Sequence, residues 1–163
     1  MISLSDIQIR TELQPGDMGY VIHLHGKLYQ QEYQYPIQFE KYVAEGLLEF
    51  YNNYNSTNNR VWVCEYKDTM VGFMLLMNRG SVAQLRYFLL VPAVRGIGLG
   101  KKLMEYYMSF LKEAGYNSSY LLTTNELTAA AHLYKRHGFK LTEQKESTTF
   151  GKQAVEQRYD LVY

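Results

Sequence analysis

The 163 residues, 47% hydrophobic and 20% charged with a formal net charge of +1, suit one compact domain spanning 1–163 that buries roughly 70% of its unfolded surface. That balance argues against a disordered chain, and the near-zero charge argues against a nucleic-acid partner, which calls for a strong basic stripe. One cysteine, Cys64, excludes an internal disulfide, and the four histidines show no zinc spacing, so no metal is expected. With no secretory leader and no apolar run near ~20 residues, no membrane partner and a cytoplasmic location are expected.

Ile7 to Leu13 alternates apolar and polar residues and predicts a first strand, broken by Gln14-Pro15-Gly16, with Asp17 placed to cap a helix. Val21, Leu24 and Leu28 recur at helical spacing and predict a helix over Met18 to Gln31. After Pro36 a second helix is predicted over Ile37 to Tyr51, then a polar loop over Asn52 to Asn59. Strands follow at Arg60 to Tyr66, Met70 to Met77 and Val82 to Val91, with turns at Lys67-Asp68-Thr69 and Asn78-Arg79-Gly80. Gly98 to Ala114 is helical through Leu99, Leu103, Met104, Tyr107 and Leu111, and Gly115 closes it. A short buried strand at Tyr120 to Thr123, a helix over Thr128 to His137 stopped by Gly138, and strands at Phe139 to Ser147 and Ala154 to Val162 complete the chain. This order predicts a mixed α/β domain around one central sheet.

Chemistry concentrates where the strand ending at Val91 meets the next helix. Arg95-Gly96-Ile97-Gly98-Leu99-Gly100-Lys101 sets three glycines before a helix whose first amides lack partners. Such a turn suits an anion, pyrophosphate above all, with Arg95 and Lys101 adding charge. Its plain structural reading is a tight turn that packs helix on sheet. The Gly-Lys-Ser/Thr ending of a P-loop is absent, and the preceding strands read as antiparallel hairpins, unlike a dinucleotide-binding unit.

Arg95-Gly96-Ile97-Gly98-Leu99-Gly100 resembles the Arg/Gln-x-x-Gly-x-Gly/Ala signature of the GNAT superfamily of N-acetyltransferases. Leu133-Tyr134-Lys135-Arg136-His137-Gly138-Phe139 resembles that family's Leu-Tyr-x-x-x-Gly-Phe segment. The stretches His25 to Tyr29, Phe39-Glu40 and Phe150 to Tyr163 are similar to a subgroup often fused behind MarR-type winged-helix regulators; no such regulator is expected here. The resemblance implies an acyl-CoA N-acyltransferase fold, a mostly antiparallel splayed sheet flanked by about four helices, with acetyl-CoA as co-substrate in the opening. Leu89, Leu90 and Val91 would pair with the pantetheine arm, the Arg95 to Lys101 amides would hold the pyrophosphate, and Tyr134 would stand near the thioester sulfur. Relatives commonly carry an asparagine seven residues before this tyrosine. Here that position is Leu127, with Asn125 as the nearby substitute.

Acetyl transfer to an amine needs the amine neutral, a donor for the developing oxyanion, such as the N–H near Leu90, and an acid for the leaving thiolate. A tyrosine, with a pKa near ~10, holds its proton at neutral pH and assigns Tyr134 that role. The base is left open between a side chain and a water chain. His25, Tyr29, Tyr33, Glu40 and Arg86 are the candidate acceptor-site residues. The tyrosines between Tyr29 and Glu40, with Glu32 and Glu40, would suit a cationic amine, and Arg86 reads as either a sheet-surface charge or a carboxylate clamp. Cys64 reads as core rather than nucleophile. The expected activity is acetyl transfer to the primary amine of a small molecule or protein; the alternative is a non-catalytic acyl-CoA-binding sensor or interaction module. A homodimer is admitted by the fold, with no interface located in the sequence.

Overall fold

The computed structural model describes residues 1–163. Seven strands form one sheet in the order β1-β2-β3-β4-β5-β7-β6, with β1 Gln8–Arg10, β2 Arg60–Tyr66, β3 Thr69–Arg79, β4 Val82–Leu90, β5 Ser118–Thr124, β6 Lys140–Ser147 and β7 Ala154–Val162. Every neighbouring pair is antiparallel except β4 with β5. Helices α1 (Asp17–Tyr33) and α2 (Ile37–Asn52) cover one face; α3 (Leu99–Glu113) and α4 (Thr128–Arg136) pack on the other.

The sheet's two-residue period creates these two cores. On β2, Trp62 and Cys64 face α3 while Val61 and Val63 face α1 and α2; on β3, Met74 and Leu76 oppose Phe73, Leu75 and Met77. A strand buried on both faces reads as a continuous apolar run, which is the pattern of Met70 to Met77. In α3 the stripe Leu99, Leu103, Met104, Tyr107, Leu111 is buried throughout, and the Tyr107 hydroxyl is satisfied by Ser119 Oγ at 2.7 Å.

All seven strands and four helices stand where the sequence places them, with shifted ends. The first strand is only three residues long. Asp17 is the first helical residue rather than a cap; Gly16 precedes the helix at φ 95°. The Asp17 carboxylate instead takes two hydrogen bonds from Arg10, both 2.7 Å, and one from the Gln14 N–H. The β2–β3 turn is tighter than expected, because Lys67 and Asp68 both adopt left-handed conformations (φ 49° and 63°) that match the strands' twist. No helix is long and apolar enough to cross a membrane.

Leu103 is fully buried at the centre of the α3 seam. Leu103→Ala is expected to lower unfolding stability by about 2–5 kcal/mol with an unchanged urea m-value, read by equilibrium denaturation.

Candidate active site

The site begins with a bulge in β4. Pairing with β3 slips between Phe73 and Leu75, and Tyr87 within the slip adopts φ 57°. A non-glycine residue held there costs roughly 1–2 kcal/mol, so its packing must retain it. The bulge breaks the strand's alternation and turns Arg86 and Tyr87 to the same side, toward α2. The Arg86 guanidinium lies 4.8 Å from the Tyr87 ring centroid and 5.6 Å from that of Tyr42. A Cβ on Gly46 of α2 would fall 1.7 Å from the Tyr87 hydroxyl and 2.8 Å from Arg86 Nη2, so only glycine fits beneath the pair.

β4 and β5 pair only over Ala83 to Leu85, whereas β5 stays paired with β7 as far as Thr124. From Arg86 onward the two strands part and leave a wedge. The Val91 N–H donates to the Val71 carbonyl at 2.9 Å. Antiparallel alternation therefore points the N–H and carbonyl of Leu90 the other way, into the wedge.

At the end of β4, the 3-10 turn Pro92–Val94 leads to Gly96 (φ 78°) and Gly98 (φ 92°), left-handed positions that glycine alone adopts without strain. The first helical bond of α3 runs from the Lys102 N–H to the Gly98 carbonyl at 3.1 Å; the amides of Gly96, Ile97, Gly98, Leu99, Gly100 and Lys101 have no backbone partner. Six free amides at a helix start, with about half a positive charge from the helix dipole, form an anion cradle.

The Arg95 side chain does not add to this cradle. Its guanidinium grips Glu32 on α1 with two bonds of 2.5 and 2.9 Å, and its Nε donates to the Leu90 carbonyl at 2.9 Å. A planar fork is saturated best by a carboxylate, and Glu32 supplies one across the mouth of the wedge. Lys101 is exposed and forms no ion pair. Asn125 is also exposed, its N–H bonded to the Val155 carbonyl, and Leu127 rather than Asn125 lines the cleft.

The wedge opens on a pocket of about 90 Å³, lined by residues of both parting strands and by aromatic side chains from the helices. Four of the expected residues meet in it: His25 and Tyr29 from α1, Arg86 from β4 and Tyr134 from α4. Tyr134 is 5% exposed, with its ring about 6.2 Å from those of Phe88, Phe139 and Tyr159. Its hydroxyl makes no hydrogen bond to protein and is not sealed, so it opens on the pocket. Burial pushes its pKa well above that of an ordinary phenol, so the proton stays on at neutral pH. His25 Nδ1 donates to the Val21 carbonyl at 2.8 Å, which leaves Nε2 as a lone-pair acceptor without a protein partner. Burial, opposed by that backbone bond, pushes His25 down to about 4 and keeps it neutral.

Tyr33 and Glu40, also expected here, do not line the pocket. Tyr33 stands outside it, edge-on to Tyr29 and Tyr35, while Glu40 is packed against α1, where a Cβ on Gly26 would lie 2.2 Å from its Oε1. Glu32 is committed to Arg95, and Glu40 lies outside the pocket lining, so neither carboxylate faces a cation held in the pocket. The wall is instead built from Tyr35, one of the tyrosines expected between Tyr29 and Glu40, and from Phe39, Tyr42 and Phe150, which the sequence reading missed. The i, i+3 spacing of Phe39 and Tyr42 on one face of α2 is the signal that could have found those two. Cys64 is buried and its thiol is raised to about 12 by desolvation, as fits a core residue. No group of three or more His, Cys, Asp or Glu residues is placed to hold a metal ion.

The hydrogen bond from Arg95 holds the Glu32 carboxyl below its ordinary 4.5. The stability it contributes is complete above that value and is lost as the pH falls through the lowered one. The carboxylate is part-exposed, so the effect is about 1 kcal/mol or less. Glu32→Gln is expected to be less stable than wild type at pH 7 and to converge on it only as the pH falls below 4.5 and through the lowered value, read by urea unfolding across pH.

A model of the acetyltransferase (GNAT) family matches residues 25–139. Over 96 residues the chain is 34% identical to uncharacterized N-acetyltransferase YjgM of Escherichia coli (strain K12), covering 56% of this chain and 58% of that protein. The chain spans about half the length of the curated relatives it matches. Its fold is shared by the crystal structure of an acetyltransferase from Streptococcus agalactiae 2603 (TM-score 0.76, 18% identity, 98% of this chain and 100% of that one). It is shared as well by a GNAT family acetyltransferase from Elizabethkingia anophelis with acetyl-CoA bound (TM-score 0.69, 13% identity, 97% and 99%).

Proposed function

The chain belongs to the acetyltransferase (GNAT) family, and on that premise we propose that it transfers the acetyl group of acetyl-CoA to the primary amine of an acceptor held in the aromatic pocket. The observation that carries this reading is the open β4 edge, with the Leu90 N–H turned into the wedge, followed in the chain by the six amides after Arg95 that have no backbone partner.

The residues present fit the coenzyme. An unpaired strand edge suits its amide-rich arm, and the cradle from Gly96 to Lys101 suits its pyrophosphate. When bound, acetyl-CoA supplies the thioester: the lone pair of the neutral amine forms the C–N bond to the acetyl carbon as the C–S bond breaks, the nitrogen losing one proton and the sulfur gaining one. Leu90 presents its N–H to the wedge, where it can donate to the thioester oxygen as negative charge develops there. Tyr134, protonated at neutral pH and open to the same space, gives its proton to the departing sulfur. Asn125 is left out of this assignment, and Arg95 acts through Leu90 and Glu32 by fixing the mouth of the wedge. Kinship with the regulator-fused subgroup is part of the same proposal and adds no residue to it.

Acetyl-CoA is expected to bind wild-type protein in calorimetric titration. Gly100→Glu, which adds a negative charge and a side chain at the first turn of α3, its Cβ 3.1 Å from Leu133 Cδ2 and near Leu90, is expected to abolish that binding. Absence of binding to folded wild type would overturn the reading. Tyr134→Phe is expected to lower kcat about 100-fold or more while leaving KM for acetyl-CoA nearly unchanged, measured by release of the coenzyme thiol.

A further inference from the structure

Arg86 is the only formally charged side chain lining the pocket. Its side chain is 9% exposed, and it sits against two tyrosine rings at the bulge in β4. A guanidinium carries five donors, yet this one has little to donate to. Its contact within hydrogen-bonding reach is the weak acceptor Met77 Sδ at 3.9 Å. Glu49 lies 3.7 Å away, beyond a hydrogen bond, and its two oxygens are already held by Arg79 at 3.0 and 3.3 Å.

No anion in the pocket answers this charge. His25 is neutral, Glu32 is bound to Arg95, and Glu40 is packed against α1. Glu126 is hydrogen-bonded by Tyr35 and Lys152 and does not line the pocket. Outside the pocket the one carboxylate near Arg86, Glu49, is shared with Arg79, so a cationic acceptor would meet a positive charge only partly compensated, at a cost raised by the low dielectric. An acceptor with a carboxylate would supply the missing partner for a planar fork of donors.

We infer that the acceptor is a small amine that also carries a carboxylate, an amino acid, whose carboxylate is bound by Arg86 while its amine faces Tyr134 across the aromatic pocket. The inference rests on the acetyl-transfer reading and names the substrate class of that site. The pocket, about 90 Å³ and open at one side, has room for a small molecule. Arg86 thereby becomes a specificity determinant, placed by the left-handed Tyr87 that turns both side chains toward α2.

The test uses the full chain. Acetyl-CoA binding is measured first; then thiol release is followed with a panel of L-amino acids, each beside the amine it yields on decarboxylation, and with spermidine. Wild type is expected to turn over at least one amino acid at a kcat/KM 10-fold or more above its decarboxylated partner. In Arg86→Gln the KM for that amino acid is expected to rise about 30-fold or more, with KM for acetyl-CoA unchanged and the preference over the decarboxylated amine lost. Arg86→Lys, which keeps the charge and loses the fork, is expected to fall between. Equal or better turnover of amines without a carboxylate overturns the inference and leaves acetyl transfer standing, and so does acetyl-CoA binding with turnover of no amino acid in the panel. The wild-type comparison decides the matter even where an Arg86 variant fails to fold. Loss of acetyl-CoA binding itself would instead overturn the reading beneath it.

Discussion

The parting of β4 from β5 after Leu85 is the constraint on which the site depends. Two strands that stop pairing inside a sheet leave backbone donors and acceptors unmet, and a fold tolerates this only where something else meets them. Here the gap opens beside the end of β4, continues into the glycine loop and reaches the free first turn of α3. The bulge at Tyr87 lies at the point of divergence, and a locally kinked, more strongly twisted strand is what turns β4 away from its neighbour. The strain stored at Tyr87 is offset by close packing over Gly46 and around His25.

The same bulge ties the open edge of β4 to the aromatic pocket. By reversing the alternation of β4 it sends Arg86 and Tyr87 into the pocket beneath α1 and α2, while Leu90, three residues on, still presents its backbone to the wedge. Charge is partitioned in the same way. Arg95 and Glu32 neutralise one another at the mouth, the cradle supplies uncharged amide donors, and Arg86 stands alone inside. Two arginines nine residues apart thus have different surroundings, one paired with Glu32 at the mouth and one lining the pocket.

Much of this was legible in the sequence because it follows from periodicity and glycine placement. The β-rich run of Arg60 to Tyr66, the α3 stripe and the glycines at 96, 98 and 100 each have a local cause, and each stands where expected. Long-range pairing was not legible. Nothing near Arg95 in the chain announces Glu32, 63 residues away, and nothing near Glu40 announces that it packs on Gly26. Tyr33 and Tyr35 read alike in sequence, yet a left-handed Gln34 between them ends α1 and sends Tyr35 alone into the pocket. The aromatic wall was hidden among sixteen tyrosines, most of them spread over the core and surface. The bulge left no composition signal, because Tyr87 is an ordinary strand residue held in an uncommon conformation by its neighbours.

Amide hydrogen exchange with and without saturating acetyl-CoA tests the central claim most directly. If the wedge and the cradle form one binding track, acetyl-CoA slows exchange in residues 88–91 and 96–101 together and leaves the three-strand edge β1-β2-β3 unchanged. Protection confined to other segments, or none in either stretch, would contradict the account of β4, the loop and the start of α3 as a single site.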